Sequence, residues 1–224
     1  MCILPSLTDR QSINKSIFLE VIMAPKVVDK EQKRREIAIS CKDLIFEVGI
    51  RKLTVAQAAK IAGIGKGTIY EYFENKYDIV FEIINISIEE YHQEFLKVIK
   101  NTKSTKEKIY YFFKFVLDDS DENMKQFNAY KDYLSIVLSD DNQLMKKYND
   151  TCHIFFKEQL ENVINEGIKS NELIPQAKNF IDGLLVFEKG LVLQKMTQEN
   201  FDVSDVCKRF IDNLFDLIEV RDDK

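Results

Sequence analysis

The chain has 224 residues, 45% hydrophobic and 31% charged, with a net charge of −5, the make-up of a globular protein able to bury a sizeable core. No stretch approaches the roughly 18 consecutive apolar residues of a membrane span and the opening residues lack a signal-peptide pattern, so no membrane partner and a cytoplasmic location are expected. The cysteines, Cys2, Cys41, Cys152 and Cys207, are scattered without metal-ligand or disulfide-framework spacing; no metal and no cofactor is expected, and they read as reduced core thiols rather than as a thiol sensor.

Seven glycines and three prolines are few for this length, while Leu, Ile, Lys, Glu and Phe recur at three- and four-residue intervals, so the fold class expected is all-α. Charge is unevenly spread. Residues 24–77 carry net +4 and the chain from Asp78 onward net −9, as suits a head offered to a polyanion on a body that repels one, or mere asymmetry of solvated helix faces.

Residues 1–28 show no sustained helical period and are expected to form a poorly ordered tail, with Met23 as the candidate natural start. A first helix is predicted from a cap at Asp29, with Gln32 as its capping-box partner, to a stop at Gly49; Ile37, Cys41, Leu44, Ile45 and Val48 form its inner face. Lys33, Arg34 and Arg35 at its start either coat a solvated face or approach DNA phosphates.

Thr54 followed by Gln57 reads as an N-cap and its box partner, so a two-turn helix should run from Val55 to about Ala62, where Gly63 can take positive φ. A second short helix is predicted from Lys66 through Tyr72, making a helix-turn-helix over 54–73. Ala58, Ala59 and Ala62 allow close crossing, and Val55, Ile61, Ile64, Ile69 and Phe73 supply the plug. The exposed face of the second helix then offers Lys66, Thr68, Tyr70 and Tyr72, with Lys76 just beyond, as donors to phosphates or base edges.

Several segments match one compact pattern in register: Phe46-Glu47-Val48-Gly49, Leu53-Thr54-Val55, Ile61-Ala62-Gly63-Ile64, and the run from Lys66 through Tyr70, Tyr72 and Phe73 to Lys76. In this the sequence resembles the tetracycline-repressor (TetR) family of regulators, over Lys30 to Tyr91. The resemblance implies an N-terminal three-helix DNA-binding domain at 29–91 and a C-terminal helical bundle at 92–224 for ligand binding and dimerisation. It implies that Thr54 anchors a phosphate at a helix N-terminus, that Lys66, Gly67 and Thr68 open the recognition helix, that Tyr70 and Tyr72 reach phosphates, and that Lys76 caps the interface. The chain departs from the pattern at Gly65, where a serine or threonine cap is usual, and at Glu71, which either accepts from a cytosine amino group or faces solvent.

After the N-cap candidate Asn75, a long helix through Ile79, Ile83, Ile86 and Ile88 toward Val98 would couple head to body. Five further helices are predicted: Ser104 to Leu117, Asn123 to Leu138, Asp141 to Ile168, Gln176 to Met196 and Ser204 to Val220. Phe112, Phe115, Phe127, Tyr130, Tyr133, Phe156 and Phe187, with His153 as a polar point, are candidates to line a site for a small hydrophobic or aromatic effector. Gly183, Phe187, Gly190, Phe210, Leu214 and Leu217 on the last two helices are the candidate homodimer face.

An enzyme is not expected: with His92 and His153 the two histidines, no nucleophile–base pair, metal constellation or phosphate loop is visible. The function expected is a ligand-responsive repressor that binds double-stranded DNA as a homodimer at a palindromic operator, repression being the family's usual mode. The alternative is a helical dimeric adaptor of the same fold that has lost operator binding.

Overall fold

The computed structural model describes residues 29–139 and 142–221. Cys2, Met23 and the expected tail at 1–28 lie outside the described residues, as does Asp141, the expected start of one helix. In chain order the helices are α1 (Lys30–Ser40), α2 (Lys42–Val48), α3 (Val55–Ile61), α4 (Lys66–Ile69), α5 (Lys76–Asn101), α6 (Thr105–Phe112), α7 (Lys114–Leu117), α8 (Asp121–Val137), α9 (Gln143–Lys169), a 3-10 helix (Pro175–Phe180), α10 (Ile181–Thr197) and α11 (Val203–Ile218). The described fold is all-α, with helix-turn-helix elements first and a helical bundle after them. None of the described helices is long and apolar enough to cross a membrane.

Side-chain caps set most helix starts. Asp29 accepts from the N–H groups of Glu31 and Gln32, Thr54 and Gln57 form a reciprocal capping box, and Asn75 and Asp78 form another at the head of α5. Ser104, Ser120, Asn142 and Asp202 cap α6, α8, α9 and α11 in the simpler one-way manner. At Asp29 the expected reciprocal bond is replaced: the Gln32 amide donates to Glu36 one turn on.

Two expected helices are interrupted. The first breaks at Cys41, whose N–H bonds back to Ala38 in a tighter turn, before α2 runs to Gly49 at φ 78°. The span from Ser104 to Leu117 breaks at Phe113, fully buried in the body core. Gly167, within the helix expected to end at Ile168, is a packing site. A Cβ there would come within 2.6 Å of the Thr105 hydroxyl and 3.0 Å of Leu173, so α9 keeps glycine to let α6 approach, and turns only after Lys169. The expected start of the penultimate helix at Gln176 is a 3-10 turn from Pro175, and regular α-helix begins at Ile181.

Two apolar cores divide the molecule, and α5 belongs to both. Ile79, Val80, Ile83 and Ile86 join Ile37, Leu53, Ala58, Ile69 and Phe73 in the head core, while Phe95, two turns on, joins the body core. The head core also takes in Tyr133, Ile136 and Met145 from α8 and α9, so head and body meet in a shared apolar seam rather than across a linker.

Candidate functional site

The exposed surface of the head follows from what α4 must bury. Ile69 and Phe73 turn inward against Ala58, Ala59 and α1, with relative exposures of 0% and 1%, which leaves Lys66, Gly67, Thr68, Tyr70 and Glu71 outside and Tyr72 half-buried. Gly63, at φ 66°, closes α3, and the Ile64 N–H reaches back to the Ala59 carbonyl, setting the tight angle between the two helices. The recognition helix is shorter than expected: regular bonding ends at Ile69 and continues as turns to Tyr72. Ile61, expected in the plug, is 45% exposed.

Thr54 stands exposed at the N-terminus of α3, where its hydroxyl donates to Gln57 Oε1 and accepts the Gln57 N–H. Among the described residues nothing lies within 4 Å of where a Gly67 Cβ would stand, so the described fold does not demand glycine there. Lys76 is drawn inward: its ammonium donates to the carbonyls of Ile50 and Arg51 at 3.2 and 2.8 Å. The basic cluster at the start of α1 is likewise engaged within the protein. Lys33 pairs with Glu36 and Arg35 with Glu89, both exposed, whereas Arg34 lies over the Phe73 ring, donates to the Tyr72 carbonyl and pairs with Glu82 of α5 at 2.8 Å. Arg34 is therefore the strut between the end of the recognition element and α5, a role its neighbours in sequence do not share.

A cavity of about 450 Å³ lies between head and body. Of the aromatic candidates Phe112, Phe115, Tyr130, Tyr133 and Phe156 line it, together with His153; Phe127 and Phe187 do not. Phe127 packs beside Phe115 beneath the Lys195 ammonium, and Phe187 faces away, stacked on Phe210 at 3.8 Å between ring centres. The Tyr133 hydroxyl and His153 Nδ1 are buried without a partner among the described residues, which marks both as groups able to serve a bound molecule. Ile45, Phe46 and Ile50 of the head and Val80 of α5 close the wall opposite.

Glu188 and Tyr91 line the same cavity and are absent from the candidates the sequence offers. Burial raises the Glu188 carboxyl to about 7, against the smaller opposing pull of Lys189. The signal for it was present: one acid stands on the inner face of α10 between Leu184 and Leu191, a charge inside an apolar stripe. Burial also raises the pKa values of Cys41, Cys152 and Cys207, the last to about 12, so these free thiols are poor nucleophiles.

On the far side of the body, Gly183, Val186, Gly190 and Leu193 make an exposed stripe along α10, and Phe210 and Leu217 continue it on α11. Leu214, expected on this face, is only 5% exposed and packs inward with Ile211 and Phe215. One helical turn separates the two situations on α11.

Residues 42–83 match the family model of bacterial regulatory proteins, tetR family. The chain is 28% identical over 147 residues to the fatty acid metabolism regulator protein of Bacillus subtilis, covering 64% of this chain and 72% of that one. It is 26% identical over 154 residues to the HTH-type transcriptional regulator QacR of Staphylococcus aureus, covering 65% and 80%. A TetR-family transcriptional regulator from Cytophaga hutchinsonii shares the fold, with a TM-score of 0.70 at 17% identity over 88% of this chain and 100% of that one.

Proposed function

We propose, from the premise that this chain is a TetR-family DNA-binding transcriptional regulator, that it is a ligand-responsive repressor working in the cytoplasm as a homodimer on a palindromic operator. The observation that carries this reading is the position of the cavity. Its wall includes Ile45, Phe46 and Ile50 of the head and Phe112, Tyr130 and Phe156 of the body, so a molecule filling it touches both cores at once. A ligand shifts an equilibrium only through differential contacts in the two states, and a site lined by both head and body has such contacts wherever the two move relative to each other.

In this reading Thr54, Lys66, Gly67, Thr68, Tyr70, Glu71 and Tyr72 meet the duplex, with the open space beside Gly67 reserved for DNA backbone or base edges. Lys76 braces the Ile50–Arg51 turn behind them and retains one ammonium proton for a phosphate. The α10–α11 stripe supports the dimer, because contiguous apolar exposure at helical spacing is the usual mark of a partner helix. The effector expected for such a cavity has an apolar body.

Binding of the purified protein to the DNA flanking its own coding region, at two salt concentrations and beside a Lys66→Ala, Tyr70→Ala double variant, tests this. Operator binding through phosphates falls steeply as salt rises and is lost in the variant. Salt-insensitive binding, or a variant indistinguishable from the parent, would favour the adaptor reading.

A further inference from the structure

We propose that the effector is an organic monocation, an amine or ammonium head on an apolar body, with its charge met by Glu188 and its body held against Tyr91, Phe112, Tyr130 and Phe156. The proposal rests on the cavity being the effector site and names the class of molecule that fits it.

The argument begins with Glu188. Its side chain keeps some accessible surface, but protein encloses its carboxyl closely enough to raise its pKa to about 7. Both observations fit a carboxyl whose one open side is the cavity. A carboxyl at the end of an apolar enclosure is costly to ionise unless a positive group meets it, and a cation bound there supplies that group. Tyr91 from α5 and Tyr130 from α8 line the same cavity as Glu188; burial first, and the nearby Glu188 carboxyl to a smaller degree, raises the pKa of both hydroxyls.

The rings supply the rest of a cation's surroundings. Tyr91 and Phe156 meet edge to face at 5.9 Å, Phe112 and Phe156 at 6.0 Å, and Phe115 and Tyr130 at 5.5 Å, so ring faces and edges line the space at several angles. The negative faces of such rings attract a poorly hydrated ammonium more strongly when water is excluded. An anionic head would find the reverse. Glu90, Glu94, Asp118 and Glu122 also line the cavity, against Lys114 and Lys189, and Lys114 is already tied to Glu94 at 2.7 Å. A neutral head could hydrogen-bond to Glu188 but would leave the charge of its ionised form uncompensated. The unpartnered Tyr133 hydroxyl and His153 Nδ1 provide a second polar point for an ether, carbonyl or hydroxyl elsewhere on the molecule.

Because a fixed positive charge favours the ionised carboxyl, binding expels the Glu188 proton and strengthens with pH through about 7. The titratable and charged groups lining the same cavity are Glu90, Tyr91 and Glu94 on α5, Lys114 and Asp118 at α7, Glu122, Tyr130 and Tyr133 on α8, Cys152 and His153 on α9 and Lys189 beside Glu188; a fixed-charge ligand introduces no titration of its own.

The test compares decyltrimethylammonium, decanoate and 1-decanol, each titrated calorimetrically into the full chain, alongside anisotropy of a labelled operator fragment. The cation should bind tenfold or more tightly than the other two at pH 8 and lose about tenfold between pH 8 and pH 6. Glu188→Gln should abolish both the preference and the pH dependence while still binding 1-decanol, which shows that the cavity is intact. Decanoate or 1-decanol binding as tightly as the cation, an unaltered cation affinity in Glu188→Gln, or no binding by any of the three would overturn the assignment. Release of DNA by decanoate or 1-decanol alone would leave the repressor reading standing and remove the cation. Glu188-dependent cation binding that leaves the DNA complex untouched would do the opposite.

Discussion

The carboxylate of Asp132, on α8, accepts the backbone N–H of Ile50, in the turn that follows α2, at 2.5 Å. The same helix holds the turn a second time, since the Arg51 guanidinium donates to the Ser135 carbonyl and hydroxyl at 3.2 Å. Tyr130 and Tyr133, on either side of Asp132 in sequence, line the cavity. In the proposed ligand-responsive reading, a displacement of α8 by a bound molecule would be passed to the head's backbone directly, in parallel with α5. Asp132→Ala should cost about 1 to 3 kcal/mol by leaving the Ile50 N–H without its acceptor. It should also shrink the change in operator affinity that decyltrimethylammonium produces, measured as the ratio of operator Kd values with and without the cation; an unchanged ratio would mean that α5 alone carries the coupling.

Gly67→Ala separates folding from DNA contact. The added methyl meets nothing within 4 Å and improves helix propensity by up to about 1 kcal/mol, so the melting temperature should hold or rise. Operator affinity should fall tenfold or more if the duplex occupies that space. A variant that binds as the parent does would move the recognition surface away from Gly67.

Arg34 and Arg35 are adjacent yet should behave differently on truncation. Arg34→Ala removes the pair with Glu82, the bond to the Tyr72 carbonyl and the cover over Phe73, and should lower stability by about 1.5 to 3 kcal/mol. Arg35→Ala removes an exposed pair with Glu89 and should change stability by less than about 1 kcal/mol. Urea titrations of the two variants decide the matter, and equal losses would contradict the assignment of Arg34 as a strut.

Glu188 gives stability a distinctive slope with pH. Its folded pKa, about 7, lies above the ordinary value of 4.5, so its contribution is complete below 4.5 and is lost as pH rises through 7. The loss is of the order of 3 kcal/mol. Glu188→Gln should flatten this slope and leave the variant more stable than the parent at pH 8 in the absence of ligand, as denaturant midpoints at pH 5 and pH 8 would register. A parent that gains stability from Glu188 as pH rises would have the opposite sign and exclude an enclosed carboxyl.

Val186→Glu with Leu217→Glu places charge on the α10–α11 stripe, where the parent residues are 69% and 70% exposed and take little part in the chain's own core. Sedimentation should show a monomer of unchanged helicity with weakened operator binding. A dimer surviving both changes would put the interface elsewhere.

The head was legible because its rules are local. Thr54 with Gln57, the Asn75 cap and Gly63 at positive φ act within one helical turn, and spacing alone reveals them, although the Asp78 partner of Asn75 emerges only in the structure. The cavity was legible by half, since an inward aromatic and a cavity-lining aromatic have the same periodicity: Phe115 and Phe127 lie in contact, yet the former alone borders the space. Leu214 and Leu217 differ by less than one turn and point to core and surface, a distinction that rests on where α7 and α10 pack rather than on the residues themselves. Asp132 and Arg34 act on partners 82 and 38 residues away, and no local pattern carries that information, whereas Glu188 shows in the sequence as an acid within the apolar stripe of α10 but not as a cavity-lining group.

Ile50 borders the cavity, belongs to the head core and lends its backbone N–H to Asp132. The residues proposed to read DNA, from Lys66 to Tyr72, and those proposed to choose an effector, such as Glu188 and Phe156, have no member in common. Natural variation or design can therefore exchange one specificity while conserving the other, giving sensors with a new inducer on an old promoter. Ile50 stands outside that freedom: in the proposed reading its replacement would touch input, transmission and output together, which makes it the position where modular rewiring of this protein would meet its limit.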